Sequence, residues 1–257
     1  MLFRSLFEGS HFPDPVEEKN MAALKKLVIH EGADCGFGLD GDGDRLGVVD
    51  EVGKLLFGDQ LLAIYARDIL AAHPGATIIG EVKCSHLTYR DIANHGGNPV
   101  MAPTGHSLIK ARMQSTGALL AGEMSGHMFF ADRYFGFDDA TYAALRFLEV
   151  LDAHQTTTAH DLLADWPTTY NTPEIRRECP DHIKNTVVNE LKNNIVSDCE
   201  VIDIDGVRIV FPDAWGLVRA SNTQPALVLR FEADSPIRLK EIRSLVETKL
   251  NQILAAL

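Results

Sequence analysis

Two short β-prone runs, Cys35-Gly36-Phe37-Gly38-Leu39 and Leu46-Gly47-Val48-Val49, flank Asp40-Gly41-Asp42-Gly43-Asp44-Arg45. Three carboxylates at alternate positions, with glycines that let the backbone turn tightly, can converge on one hard cation. Without a cation they repel one another. Mg²⁺ keeps coordination positions open for phosphate oxygens, so the pattern suits phosphoryl chemistry. Two rival readings share part of it. In a calcium-binding helix–loop–helix, Asp40, Asp42, Asp44 and Glu51 would fall at loop positions 1, 3, 5 and 12. However, Arg45 stands where that loop requires glycine, and strands rather than helices flank it. A phosphatase with Asp40 as nucleophile explains Asp-x-Asp but not the third Asp or Arg45.

Outward from this loop, residues 16 to about 166 alternate helix and strand. Val16 to Ile29 has helical spacing, with Met21, Leu24, Leu27 and Val28 on one face. Asp59 to Ala72 is predicted helical with Asp59 as N-cap, and His73-Pro74-Gly75 is its stop. Thr77 to Val82 is a β-branched strand; helix, strand and helix follow to Thr116, then a strand at Ala118 to Ala121 and a helix from Asp139 to Ala153. Such alternation implies βαβ units, with helices on the faces of a parallel or mixed sheet. Beyond Trp166 the pattern changes. A polar helix from Asp181 to Asn194, strands at 199–204, 206–211, 215–219 and 226–232, and a helix from Ile237 to Leu254 suggest a separate, smaller α+β domain. The first fifty residues offer one helix and two strands, too little for a domain, so the chain is expected to begin inside a fold.

Composition narrows the function classes. The net charge of −12 over 257 residues argues against a general nucleic-acid or anionic-membrane surface. No apolar run approaches the roughly 20 residues that span a bilayer. Met1 to Phe7 is apolar around Arg4, but Glu8 and a Pro-rich stretch follow where a signal peptide would continue. Cys35, Cys84, Cys179 and Cys199 form no C-x-x-C pair and read as free thiols, which makes a cytoplasmic location the expectation.

Two further motifs carry chemistry of their own. In Gly122-Glu123-Met124-Ser125-Gly126-His127, Glu123 and Ser125 supply an acceptor and a donor/acceptor two residues apart, suited to adjacent sugar hydroxyls. In Arg219-Ala220-Ser221-Asn222-Thr223, Arg219 gives a guanidinium fork, and Ser221, Asn222 and Thr223 add neutral donors in a turn closed by Pro225. That set suits a phosphate dianion.

Taken in order, these stretches resemble the α-D-phosphohexomutases of the phosphomannomutase/phosphoglucomutase type. The acidic loop is similar to that family's D-G-D-G-D-R metal loop, the Glu123 loop to its sugar-binding loop and the Arg219 loop to its C-terminal phosphate loop. Val82-Lys83-Cys84 and Thr104-Gly105-His106-Ser107 resemble further signatures between them. Met124 resembles the mannose/glucose enzymes rather than the glucosamine ones, which usually carry Gln there. The resemblance covers essentially the whole chain. It implies mixed-sheet α/β/α domains, a partial second domain at 1–54 and a whole third domain at 55–166, then a smaller α+β C-terminal domain at 167–257.

The resemblance also implies Mg²⁺ on Asp40, Asp42 and Asp44, with Arg45 beside the transferring phosphoryl group. Lys83 and His127 become candidates for proton transfer, and His106 for positioning the phosphosugar. Glu123 and Ser125 would hold the hydroxyls that glucose and mannose share. The implied ligands are hexose phosphates and hexose 1,6-bisphosphate, and the implied activity interconverts hexose 1-phosphate and 6-phosphate through a phosphoserine. One element of the family pattern is missing from this sequence, the T-x-S-H-N-P loop that carries the phosphorylated serine. Gly9-Ser10-His11-Phe12-Pro13 imitates it, but Phe12 replaces Asn and the stretch lies close before the metal loop. It is more similar to the F-P-N-H-H-P-D-P segment of the family's second domain, kept in part as Phe12-Pro13-Asp14-Pro15, so Ser10 is rejected as nucleophile. The expectation is therefore a missing N-terminal domain and no turnover by this chain alone, leaving a sugar-phosphate-binding fragment as the second reading. Gln60, where close relatives often have Arg, has no role at this stage.

Overall fold

Short β-prone runs separated by tight polar links can close only as hairpins, and the first pair does so. In a computed structural model that describes residues 14–195 and 199–256, β1 (Cys35–Leu39) and β2 (Leu46–Asp50) pair antiparallel from Cys35↔Asp50 to Leu39↔Leu46. The acidic loop is therefore the hairpin tip. β3 (Leu55–Leu56) adds to β2. Ser10 and the Met1 to Phe7 stretch lie outside the described residues.

Helix α1 (Ala22–Glu31) starts later than its apolar spacing predicts. Asp14 Oδ1 takes the Val16 N–H and Asp14 O takes Asn20 Nδ2, so residues 15–20 satisfy their backbone in turns instead. Gly32, at φ 60°, ends the helix in a left-handed cap. Met21 and Val28 bury against Val49 and Leu55.

The chain clusters into two compact units, the first running to Met101 and then over Gly105–Trp166. Besides the hairpin it contains α2 (Gly58–Ala72), β4 (Thr77–Glu81), α3 (His86–Asn94), β5 (Asn98–Ala102), α4 (His106–Thr116), β6 (Leu120–Gly122), β7 (Met128–Phe130) and α5 (Ala140–Ala153). The sheet order is β5-β4-β6-β7, with β4 and β6 parallel and β6 and β7 antiparallel. Leu61, Ile64, Tyr65 and Ile69 of α2 pack with Phe130 and Phe147 in its core, and the buried Tyr65 hydroxyl donates to Ala143 O. Each such apolar side chain contributes about 1.5–3 kcal/mol on burial.

Asp59 is not the N-cap of α2. Phe57 occupies that position, and Asp59 Oδ2 instead accepts the Ser85 N–H at 2.9 Å, tying α2 to the loop after β4. Gln60 acquires a role here. Its Oε1 accepts the Phe57 N–H at 3.1 Å, half of a capping box that an arginine, having no acceptor, could not supply.

The second unit comprises Ala102–Thr104 and the chain from Pro167. Its antiparallel sheet contains β8 (Tyr170–Asn171), β9 (Ile175–Glu178), β10 (Glu200–Ile202), β11 (Val207–Phe211), β12 (Ala214–Ala220) and β13 (Ala226–Ala233), in the order β10-β11-β12-β13-β8 with β9 also on β13. Alternate residues Val207, Ile209, Val218, Leu227, Leu229 and Phe231 form one core with Val187 and Leu191 of α6 (Asp181–Asn193) and Ile242, Val246 and Leu250 of α7 (Pro236–Ala256). Membership of this core recurs every second residue, as on one face of a sheet, although burial itself is nearly continuous along β12 and β13. The register Ala220↔Leu227 makes the Ser221–Pro225 segment a hairpin tip as well.

Candidate active site

All three motif loops are thus connections between paired antiparallel strands, which hold short polar segments on rigid supports. At the first tip, Asp40 is buried. Its Oδ1 accepts the backbone N–H groups of Gly43, Asp44 and Arg45, each at 3.1 Å, and its Oδ2 accepts Arg45 Nε at 2.6 Å. Burial opposes ionisation of Asp40, but the Arg45 side chain and backbone outweigh it and hold the carboxyl below its ordinary range. Arg45 also reaches Asp14 Oδ2 at 3.3 Å.

Asp44 is pushed the other way. Burial raises it most, His127 opposes, and the charges of Asp40 and Asp42 add to the rise. One oxygen from each of Asp40, Asp42 and Asp44 lies within 4.8 Å of the others. Three oxygen donors this close, one of them driven toward its neutral form by burial and then by like charge, fit a hard divalent cation.

The second tip follows β6. Arg45 and His127 form an isolated antiparallel bridge, and Leu46 N donates to Gly126 O at 3.0 Å, so the two tips are joined through backbone. Glu123 is buried. Its Oε2 lies 2.7 Å from His127 Nδ1, and its Oε1 accepts the Gly105 N–H at 2.9 Å. Burial works against the charged form, but His127 and the Gly105 N–H hold Glu123 below the usual carboxylate range, with Lys83 adding to this. Ser125 Oγ sits 2.9 Å from the same His127 nitrogen. Nδ1 of His127 thus faces the Glu123 carboxylate, and Nε2 points toward Asp44 Oδ1 at 3.4 Å.

Lys83 follows β4 and is buried beside Glu81, with Nζ 3.8 Å from Glu81 Oε1. Glu81 also accepts the backbone N–H groups of Lys83 and Met124. His106 opens α4 and lies with its ring 4.0 Å from that of His127. The first unit therefore brings Asp40, Asp42, Asp44, Arg45, Lys83, His106, Glu123, Ser125 and His127 into one connected group. Several of these side chains follow parallel strands β4 and β6, the end of a sheet where ligands bind in α/β folds.

In the second unit, Arg219 is buried at the end of β12 and donates through Nε to Asp205 Oδ2 at 2.8 Å. Ser221 Oγ accepts the backbone N–H groups of Thr223 and Gln224, leaving Asn222 and Thr223 exposed at the tip. Asn222 lines a cavity of about 300 Å³ with Asn185, Lys192 and Asp205.

Sequence reasoning missed four supporting side chains. Lys184 donates to Ser221 O at 2.6 Å, Asp205 holds Arg219, Glu81 holds Lys83, and Asp138 contacts both His106 and Lys110. Only Asp138 left a trace, standing beside Asp139, the observed N-cap of α5.

Models of the phosphoglucomutase/phosphomannomutase family match along the chain: α/β/α domain II over residues 4–53, α/β/α domain III over 57–170 and the C-terminal domain over 174–249. The chain belongs to this family. A phosphomannomutase/phosphoglucomutase of Pseudomonas syringae pv. tomato is 46% identical over 245 residues, covering 95% of this chain and 52% of that protein. A phosphoglucomutase of Neisseria meningitidis is 44% identical over 238 residues, covering 91% of this chain and 51% of that protein. The crystal structure of a phosphoglucomutase/phosphomannomutase family protein from Burkholderia thailandensis superposes with a TM-score of 0.88 at 40% identity, covering 95% of this chain and 52% of that one. The chain spans about half the length of the curated relatives it matches. Among the described residues, no helix of this phosphohexomutase chain is long and apolar enough to cross a membrane.

Proposed function

We propose that the chain provides the metal-, sugar- and phosphate-binding parts of a phosphomannomutase/phosphoglucomutase. In that enzyme hexose 1-phosphate and hexose 6-phosphate interconvert through a phosphoserine and a hexose 1,6-bisphosphate. The observation that carries this reading is the backbone junction between the acidic tip and the Glu123 tip, Arg45 to His127. It brings a candidate cation site and a candidate hydroxyl-reading site within one side chain of each other. Asp40, Asp42 and Asp44 would hold Mg²⁺, which when bound neutralises charge on a phosphoryl group. Glu123 and Ser125 accept and donate to ring hydroxyls, His127 Nε2 or Lys83 Nζ takes or returns the hydroxyl proton, and Arg45 lends positive charge. His106 positions the phosphosugar. In the second unit Arg219, Ser221, Asn222 and Thr223 are the residues suited to a phosphate dianion. The same reading keeps the three-part division at 1–54, 55–166 and 167–257.

An aspartyl-phosphate phosphatase fits less well. Asp40 already accepts four hydrogen bonds over its two oxygens, which lowers its nucleophilicity and its freedom to attack. Calorimetric titration with glucose 1-phosphate, with and without Mg²⁺, tests the proposal alongside a coupled mutase assay with bisphosphate activator. The 257 residues alone should bind the sugar phosphate and show no turnover, because they contain no T-x-S-H-N-P serine. Absence of binding would overturn the site. Sustained turnover would overturn the assignment of the phosphoryl relay to a serine outside this sequence.

A further inference from the structure

Asp44 belongs to a second group of side chains besides the acidic triad. His127 Nε2 is 3.4 Å from Asp44 Oδ1, the His106 and His127 rings lie 4.0 Å apart, and His106 Nδ1 is 2.5 Å from Asp138 Oδ2. One ligand atom each from Asp44, His106, His127 and Asp138 falls within 4.8 Å of the other three. The Asp138 side chain is 8% exposed. Its Oδ1 accepts Lys110 Nζ at 3.0 Å, and its buried Oδ2 is turned to the His106 ring and has no other partner among the described residues. A buried carboxylate oxygen is thus aimed into a group that already contains two imidazoles.

We propose that Asp44, His106, His127 and Asp138 form a second metal site, one that takes a borderline divalent ion such as Zn²⁺. Two imidazoles and two carboxylates are a zinc donor set, whereas Mg²⁺ takes oxygen ligands and has little affinity for imidazole. Zinc bonds of about 2.0–2.2 Å place tetrahedral ligand atoms roughly 3.3 Å apart. The Asp44–His127 pair already has that spacing, and the closer His106–Asp138 contact must open to admit the ion. The orienting partner that zinc-bound histidines require is in place, since Glu123 faces His127 Nδ1 and directs Nε2 to the centre. Because Asp44 is shared with the triad, Zn²⁺ binding withdraws a ligand from the Mg²⁺ site, and each ion weakens the other.

Metals alone, titrated into the full chain, test the site independently of any sugar-phosphate activity. Zn²⁺ affinity comes from chelator competition, and Co²⁺ substitution reports tetrahedral geometry through its visible absorption. His106→Gln and Asp138→Asn should each weaken Zn²⁺ about tenfold or more and abolish the tetrahedral Co²⁺ spectrum, with Mg²⁺ affinity little changed. Asp42→Ala should do the reverse. Circular dichroism checks folding, and His106→Gln, at a half-exposed position, keeps the test open if Asp138→Asn misfolds. Zn²⁺ affinity unchanged in His106→Gln, or lost in Asp42→Ala, would overturn the proposal by placing the ion elsewhere or in the acidic triad.

Discussion

Arg45 and His127 pair across an isolated antiparallel bridge, 82 positions apart in a chain whose acidic and Glu123 motifs otherwise belong to different sheets. The pairing depends on Gly126. Its φ is +98°, and a Cβ there would lie 2.5 Å from Leu46 O, a backbone atom that cannot rotate away. The junction is therefore a place where one methyl group separates the two loops.

Gly126→Ala should destabilise the chain by about 1–3 kcal/mol, the scale of a strained backbone position. Because the cost falls on the junction, Mg²⁺ binding and glucose 1-phosphate binding should weaken together. Urea unfolding and calorimetry on the same preparation check both. Parent-like metal affinity in a destabilised variant would show that the acidic tip holds its shape without the sugar loop.

Asp42 gives the opposite signature. It is exposed and lies close to two other carboxylates. Asp42→Ala should leave thermal stability unchanged or slightly raised, since it removes like-charge repulsion, and should weaken Mg²⁺ at least tenfold. A variant with undiminished Mg²⁺ affinity by calorimetry would remove the acidic loop as the metal site.

The contrast between these two residues also marks how far the sequence could be read. The convergence of Asp40, Asp42 and Asp44 was legible because it is local, three carboxylates within five residues. The hairpin around them was legible from β-prone runs and glycines. By contrast, β7 was not separated from the Glu123 motif, because a three-residue buried strand has no measurable period. Asp59 looked like an N-cap by residue type, yet its carboxylate serves Ser85, 26 positions away, and propensity carries no information about that partner. Asp138, Asp205 and Lys184 escaped for the same reason, since each acts through a neighbour distant in sequence, and Glu81 because its carboxylate also accepts the Met124 N–H, 43 positions away.

Cys35 offers a test of burial at the base of the hairpin. Burial, then the negative charges of Asp34 and Glu51, push its thiol up to about 12. A raised pKa keeps the neutral form, so at pH 8 only roughly one molecule in ten thousand carries the thiolate there. Iodoacetamide at pH 8 should leave Cys35 unmodified in the native chain and alkylate it readily in urea. Peptide mass spectrometry showing rapid native labelling would contradict this environment.

The phosphate tip allows charge and geometry to be separated at Arg219. Its Nε is engaged by Asp205 at 2.8 Å, so the fork is held from behind while the terminal nitrogens can receive an anion. Arg219→Ala should remove most binding of inorganic phosphate or glucose 6-phosphate, a loss of about 1.5–3 kcal/mol for charge-assisted hydrogen bonds. Arg219→Lys keeps the charge but has one ammonium to divide between Asp205 and the ligand, so it should recover only part of that loss. Asp205→Asn should weaken phosphate less than Arg219→Ala, since the guanidinium remains but loses its charged anchor. Glu123→Ala is the control from the other unit: if its carboxylate accepts sugar hydroxyls as proposed, it should reduce glucose 6-phosphate binding and leave inorganic phosphate unaffected. Phosphorus NMR titration of the four variants gives both affinities. If Arg219→Ala binds phosphate like the parent chain, the anion does not sit on this tip. If Arg219→Lys matches the parent, net charge alone accounts for the binding and the Asp205 anchor is irrelevant to it.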